Sequence, residues 1–144
     1  MMTNCRFWVA GDPKPQPRAR ATVRGRHARM YNPSTADEWK AAVKSMANYA
    51  GLGDEPITGA ISLELEFRFK RPVSHLTKKG ELAAGAPRLH IKRPDADNLA
   101  KAVMDALTDL GVWRDDSQVM RLKVSKYWTW GGSGCDVHVL QIDE

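Results

Sequence analysis

Residues 60–70, AISLELEFRFK, restrict the possible folds more than any other stretch of the chain. Ile61, Leu63, Leu65, Phe67 and Phe69 alternate with Ser62, Glu64, Glu66 and Arg68. A two-residue period puts the apolar side chains on one face of a strand and the polar ones on the other. Such a strand belongs to a sheet with one face wet and one face buried under something apolar. Acidic residues on a wet strand face, such as Glu64 and Glu66, are solvated and not functional by default.

Two helical segments can supply the cover. Between Ala36 and Ala50, Trp39, Val43, Met46 and Ala50, with Ala42 alongside, recur at helical spacing. Thr35 and Glu38 have the spacing of a capping box, and Gly51 and Gly53 end the segment. A second helix runs from about Asp97 to Leu110 and stops at Gly111. Advancing ~100° per residue gathers Leu99, Val103, Ala106 and Leu110 on one side and Asp97, Lys101 and Asp105 on the other. Further strands are expected at Cys5 to Ala10, Ser117 to Trp130 and Asp136 to Ile142, the last two paired antiparallel through the glycine turn Gly131 to Gly134. These elements define an α+β protein, a small mixed sheet with two main helices. At 144 residues it suits a single domain, 1–144, able to bury a core without disulfides.

Cys5 and Cys135 lie at opposite ends without metal-ligand spacing, as expected of free thiols in a reducing compartment. His27, His75, His90 and His138 share no helix face, which argues against a histidine metal site. No apolar run reaches the roughly 20 residues that span a bilayer, and no signal peptide opens the chain. The expectation is a cytoplasmic protein without a membrane partner.

The formal net charge is +5, with a pI near 9.4, which favours an anionic partner, nucleic acid before membrane. Lys14, Arg18, Arg20, Arg24, Arg26 and Arg29 follow one another in a proline-stiffened loop or irregular hairpin without an acidic residue. Arginines so placed can follow a phosphate backbone, although a solvated basic loop has the same composition. Residues 71–92 lack periodicity and carry Lys78, Lys79 and Lys92, with Arg93 adjoining. The expectation there is a flexible basic flap that orders on nucleic acid.

Against this positive background stands KRPDADNLAKAVMDALTDLGVWRDDSQ, residues 92–118. Asp95 and Asp97 open the second helix and Lys101 follows one turn in. Helix capping and i, i+4 pairing account for Asp95, Asp97, Lys101 and Asp105 without any function. They do not account for Asp115 and Asp116, which follow the helix and could converge on the first pair. Four carboxylates in one neighbourhood need a cation, and oxygen-rich sites select Mg²⁺ or Mn²⁺. Such ions activate water and stabilise the leaving oxygen of a phosphodiester, with Lys101 available to steady the transition-state phosphate.

The combination D-x-D-N-x-x-K, D-A-L and D-D-x-Q resembles the signature of RusA-type Holliday-junction resolvases. The amino-terminal strand, the GDPKPQPRARATVRGRHARMYNP stretch and the helix containing Glu38 and Trp39 are similar to that family's layout. The resemblance implies a RusA-like α+β fold and a magnesium-dependent endodeoxyribonuclease, often phage-borne. It would act as a homodimer that nicks four-way DNA junctions symmetrically in recombination and repair. It further implies metal-binding carboxylates at Asp95, Asp97 and Asp116, with Asp115 adjacent to the metal, a catalytic Lys101, and supporting roles for Asn98 and Asp105. Two readings compete with it: a non-catalytic branched-DNA-binding module, and a nuclease for other branched nucleic acids.

Overall fold

A computed structural model describes residues 2–25, 27–31 and 33–143. Arg26 lies outside the described residues, as do the side chains of Arg20 and Arg24. The elements are β1 (Asn4–Ala10), β2 (Arg20–Arg24), β3 (His27–Tyr31), α1 (Asp37–Tyr49), β4 (Ala60–Lys70), α2 (Ala96–Leu110), β5 (Val119–Thr129) and β6 (Gly134–Ile142). The main sheet has the order β1-β6-β4-β5, and β2 and β3 form a separate two-stranded ribbon. The fold is therefore mixed α+β, with both main helices packed on one face of the sheet.

The alternation in β4 is realised in full. Ile61, Leu63, Leu65, Phe67 and Phe69 are all buried, and the residues between them are half-exposed. Glu66 pairs with Arg68 at 3.0 Å and Glu64 with Lys123 at 3.9 Å on the wet face. Trp39, Val43 and Ala47 of α1 face the core. From α2 come Leu99, Ala100, Ala102, Val103, Ala106 and Leu107. Burying a side chain such as Phe67 or Leu63 stabilises the fold by about 1.5–3 kcal/mol. The Thr35–Glu38 capping box is not made, because Ala36 occupies the cap position of α1 without a side-chain bond. Gly111 ends α2 as expected, in the left-handed conformation at φ 89°, which a residue with a Cβ adopts only with strain.

The expected β5–β6 hairpin does not form, because β4 lies between these strands. β4 pairs parallel with β5 and antiparallel with β6. A strand with its whole apolar face buried is an inner strand and takes partners on both sides. The α2 crossover delivers β5 in parallel to one edge. The glycine-rich turn then spans the end of β4, where the Ser133 hydroxyl accepts a 2.9 Å hydrogen bond from the Lys70 amide. No helix among the described residues is long and apolar enough to cross a membrane.

Residues 71–92 also depart from expectation, since they are docked and not a free flap. His90 stacks on Trp128 with ring centroids 4.0 Å apart, and His75 meets the same indole edge-on at 4.9 Å. The His90 amide bonds the Lys126 carbonyl, and the Trp128 amide bonds Arg88 O, so the segment covers part of the β5 edge. Burial, followed by the Arg71 and Lys92 charges, pushes the His75 pKa below its ordinary value. Burial and then Lys126 do the same to His90.

Both imidazoles therefore dock neutral. A released or unfolded histidine titrates near 6.5, so it takes up a proton before the docked form does. The docking contribution is complete above about pH 6.5 and declines as the pH falls towards the depressed folded values. The unfolding temperature, followed by tryptophan fluorescence, is expected to drop between pH 7.5 and 5.5. His90→Phe, which stacks but does not titrate, should flatten that dependence. An identical pH profile in the variant would exclude His90 as a source.

Candidate active site

The start of α2 carries two exposed carboxylates. Asp95 occupies the cap position with φ −71° and ψ 145°, and its backbone carbonyl accepts the Leu99 amide at 3.1 Å. Its carboxylate makes no capping bond. Asp97 accepts only the neighbouring Asn98 amide, at 2.9 Å. Both side chains are exposed, and among the described residues neither forms an ion pair. Asp97 thus satisfies one free amide of the first turn, as expected, whereas the Asp95 side chain does not cap. Their charge remains available to a ligand.

The basic amino-terminal loop is fastened beside them. The Gln16 amide bonds Asn98 O at 2.9 Å, and the Gln16 side chain accepts from Lys40 Nζ at 3.0 Å. Lys40 in turn pairs with Asp105 at 3.7 Å. Asp105 is therefore tied to α1, whereas the sequence pointed to Lys101 as its partner. Lys101 is exposed and, among the described residues, forms no ion pair. An open cleft of about 560 Å³ brings Arg18, Arg93 and Pro15 against Pro94, Asp95 and Asn98. A second, of about 370 Å³, brings Arg18 and Gln16 against Asn98, Lys101 and Asp105. Arg18 borders both.

The remaining basic candidates are spread more widely. Lys14 is partly engaged by Asp12 at 3.1 Å. Arg29 is exposed on the β2–β3 ribbon, which also carries the backbone of Arg20 and Arg24. Lys78 and Lys79 are exposed in a turn closed by the Gly80 amide on Thr77 O. Lys92 is exposed just ahead of Arg93.

The second acidic pair sits in a separate turn of tightly specified geometry. Asp115 caps the 3₁₀ turn Asp116–Gln118 by accepting the Ser117 amide at 2.9 Å. That amide, with the Ser117 hydroxyl and then Asp116, holds the Asp115 carboxyl below the usual carboxylate range. Gln118 locks the turn from both sides. Its oxygen accepts the Arg114 and Asp115 amides, and its nitrogen donates to Ile57 O and Gly59 O. Asp115 thus has a structural task, and Asp116 is the exposed carboxylate it presents.

The two pairs do not converge within one chain. Asp95 and Asp97 stand at the amino end of α2, whereas Asp115 and Asp116 lie beyond its carboxyl end. With 15 residues in α2 and ~1.5 Å of rise per residue, the helix alone separates them by about 22 Å. The sheet gives the same result, because Lys126 on β5 touches Pro94 O whereas Val119 adjoins the Asp116 turn. Seven strand residues at ~3.3 Å each span about 23 Å. No group of three or more His, Cys, Asp or Glu residues able to hold a metal forms among the described residues.

Sequence reasoning missed Gln16, Lys40 and Lys126. The first two are isolated polar residues with no pattern to mark them. Lys126 did carry a signal, as the one charged residue on the apolar face of β5.

The start of α2 thus borders two clefts that share Arg18, one with Asp95 and one with Lys101 and Asp105. A family model described as Endodeoxyribonuclease RusA matches residues 10–139. The chain belongs to this family. It is 35% identical over 126 residues to YqaN of Bacillus subtilis (strain 168), a protein described as uncharacterised, covering 86% of this chain and 87% of YqaN. It is 54% identical over 35 residues to the crossover junction endodeoxyribonucleases RusA of Escherichia coli (strain K12) and of Enterobacteria phage 82. Those two matches cover 24% of this chain and 29% of each relative.

Proposed function

We propose that this protein is a magnesium-dependent endodeoxyribonuclease that resolves four-way DNA junctions by paired symmetric phosphodiester cleavage. The observation that carries the reading is the exposed pair Asp95 and Asp97 at the start of α2, neither in an ion pair among the described residues, where Asp95 lines one cleft with Arg18 and Arg18 lines a second with Lys101. Family membership and the printed function of the RusA relatives favour the same substrate class.

The donor chemistry fits the ion. Mg²⁺ keeps part of its water shell and takes one or two protein carboxylates together with substrate phosphate oxygens. Asp95 and Asp97 would hold it, and Mn²⁺ can substitute on the same oxygens. When bound, the ion would activate a water and stabilise the leaving oxygen. The remaining work falls to the chain itself. Arg18 and Arg93 bind flanking phosphates through charge-assisted hydrogen bonds. Lys101 sets its ammonium against the charge that builds on the phosphate in the transition state.

Asp116 joins this site through a second copy of the chain. In a two-fold dimer, Asp115 and Asp116 of one copy complete the Asp95–Asp97 site of the other, giving two equivalent sites for two symmetric cuts. The first test is a labelled four-way junction incubated with and without Mg²⁺ beside a linear duplex. Paired nicks only with metal and only on the junction support the reading. Binding without cutting supports a non-catalytic module instead. Lys101→Ala should lower single-turnover cleavage by about 10²–10³-fold while the junction Kd stays within a factor of a few. A Kd that rises in step with the lost rate would make Lys101 a binding residue.

A further inference from the structure

Among the described residues of the main sheet, β5 is the strand that carries a lysine on the face turned to the helices. Lys126 follows Val124 and precedes Trp128 on that face, in register with the buried Phe67. An ammonium at such a position is costly unless its donors are used. Its Nζ donates to Lys92 O at 2.6 Å and to Pro94 O at 2.7 Å. These carbonyls flank Arg93, and the second belongs to the peptide bond that leads into Asp95. Burial pushes the Lys126 pKa below its ordinary value, and the nearby Asp95 carboxylate offsets part of that cost.

Two further bonds hold the ends of this turn: the Lys92 amide donates to His90 Nδ1 at 3.3 Å, and the Leu99 amide donates to Asp95 O at 3.1 Å. The Asp95 carboxylate has no capping bond, so the backbone of residues 92–95 is what places its Cα and Cβ. β5, by contrast, is held along its length by the parallel ladder to β4. A charged clamp from a rigid strand to two carbonyls of a turn transmits that rigidity to the side chains the turn carries.

We infer that Lys126 is a positioning residue for the Asp95–Asp97 carboxylates, fixing the turn that carries Asp95 and leads into the first turn of α2, which carries Asp97, so that the two can share one divalent cation. The role rests on the proposed magnesium site. Lys126 is half-buried, and its ammonium is turned to the Lys92 and Pro94 carbonyls.

The test compares wild type, Lys126→Met and Lys126→Arg as purified full chains. Mn²⁺ binding is counted by electron paramagnetic resonance of the free ion. Amide hydrogen exchange is followed over residues 92–98 without metal, and junction Kd is measured without metal. In Lys126→Met, Mn²⁺ affinity is expected to fall about 10- to 100-fold, the range seen when a partner behind a metal ligand is removed. Exchange over residues 92–98 should rise, and the metal-free junction Kd should not move. Lys126→Arg, which keeps charged donors in reach of both carbonyls, should recover part of the Mn²⁺ affinity. If Lys126→Met does not fold, the arginine variant and Lys126→Gln carry the same comparison.

Unchanged Mn²⁺ affinity, or unchanged exchange over residues 92–98, overturns the positioning role while leaving the proposed function standing. Wild-type protein that takes up no Mn²⁺ overturns the proposed function, and the positioning role with it.

Discussion

Asp97→Asn is expected to reduce junction cleavage by on the order of 10³-fold or more, equivalent to about 4 kcal/mol of lost transition-state stabilisation. The same protein should bind junctions without metal as well as wild type does, or more tightly. Asp97 contributes no capping bond beyond the Asn98 amide and, among the described residues, no ion pair. Its replacement by a near-isosteric amide, which keeps an oxygen acceptor for Asn98, therefore leaves α2 intact and removes one negative charge beside the proposed phosphate site. Single-turnover cleavage and gel-shift titration check the two halves separately. A folded Asp97→Asn protein that loses binding and cutting together would identify the aspartate as structural and sink the nuclease reading.

Mixing Asp97→Asn with Asp116→Asn should restore cleavage that neither variant has alone. The two acid pairs are about 22 Å apart along α2, so an intact set of carboxylates in this reading draws on two copies. In a mixed dimer one site carries both lesions and the other carries none. Random exchange makes about half of the dimers mixed, each with one working site, so roughly a quarter of wild-type sites are recovered. Since a mixed dimer has one competent centre, its products should be nicked junctions, with few resolved duplexes. Unfolding and refolding the mixture, followed by a denaturing-gel assay, makes the measurement. If the sites were complete within each chain, every site would carry a lesion and mixing would recover nothing.

What the sequence made legible was periodic. β4 was readable because its alternation runs unbroken from Ile61 to Phe69 and each apolar position is buried. α2 was readable because its apolar spacing, its Asp97 and its Gly111 agree. Periodicity assigns faces, however, and is silent about ends and neighbours. It placed Asp97 opposite Leu99 correctly, but could not say that Asp116 lies a helix length away. The glycine turn between β5 and β6 misled for a related reason: a short flexible link reads alike whether it joins adjacent strands or steps over one. The docking of residues 71–92 rests on His75 and His90 against Trp128, single contacts without a repeat. The resemblance carried by D-x-D-N-x-x-K and D-D-x-Q was sound at the level of family. The structure adds why Gln118 belongs to it, since that side chain locks the turn presenting Asp116.

The run from Asp95 to Lys126 has a consequence for how this chain can change in length. α2 descends about 22 Å and β5 returns by about the same amount, with Lys126 joining the return to the departure point at Pro94. The interval is a closed loop of fixed perimeter. Removing one helical turn would shorten one side by about 5.4 Å, and the lysine would no longer meet the turn it holds. The exposed tip from Thr77 to Glu81 bears no such closure. Insertions and deletions should be tolerated there and rejected between Asp95 and Lys126, as a library of short length variants screened for junction cutting can establish.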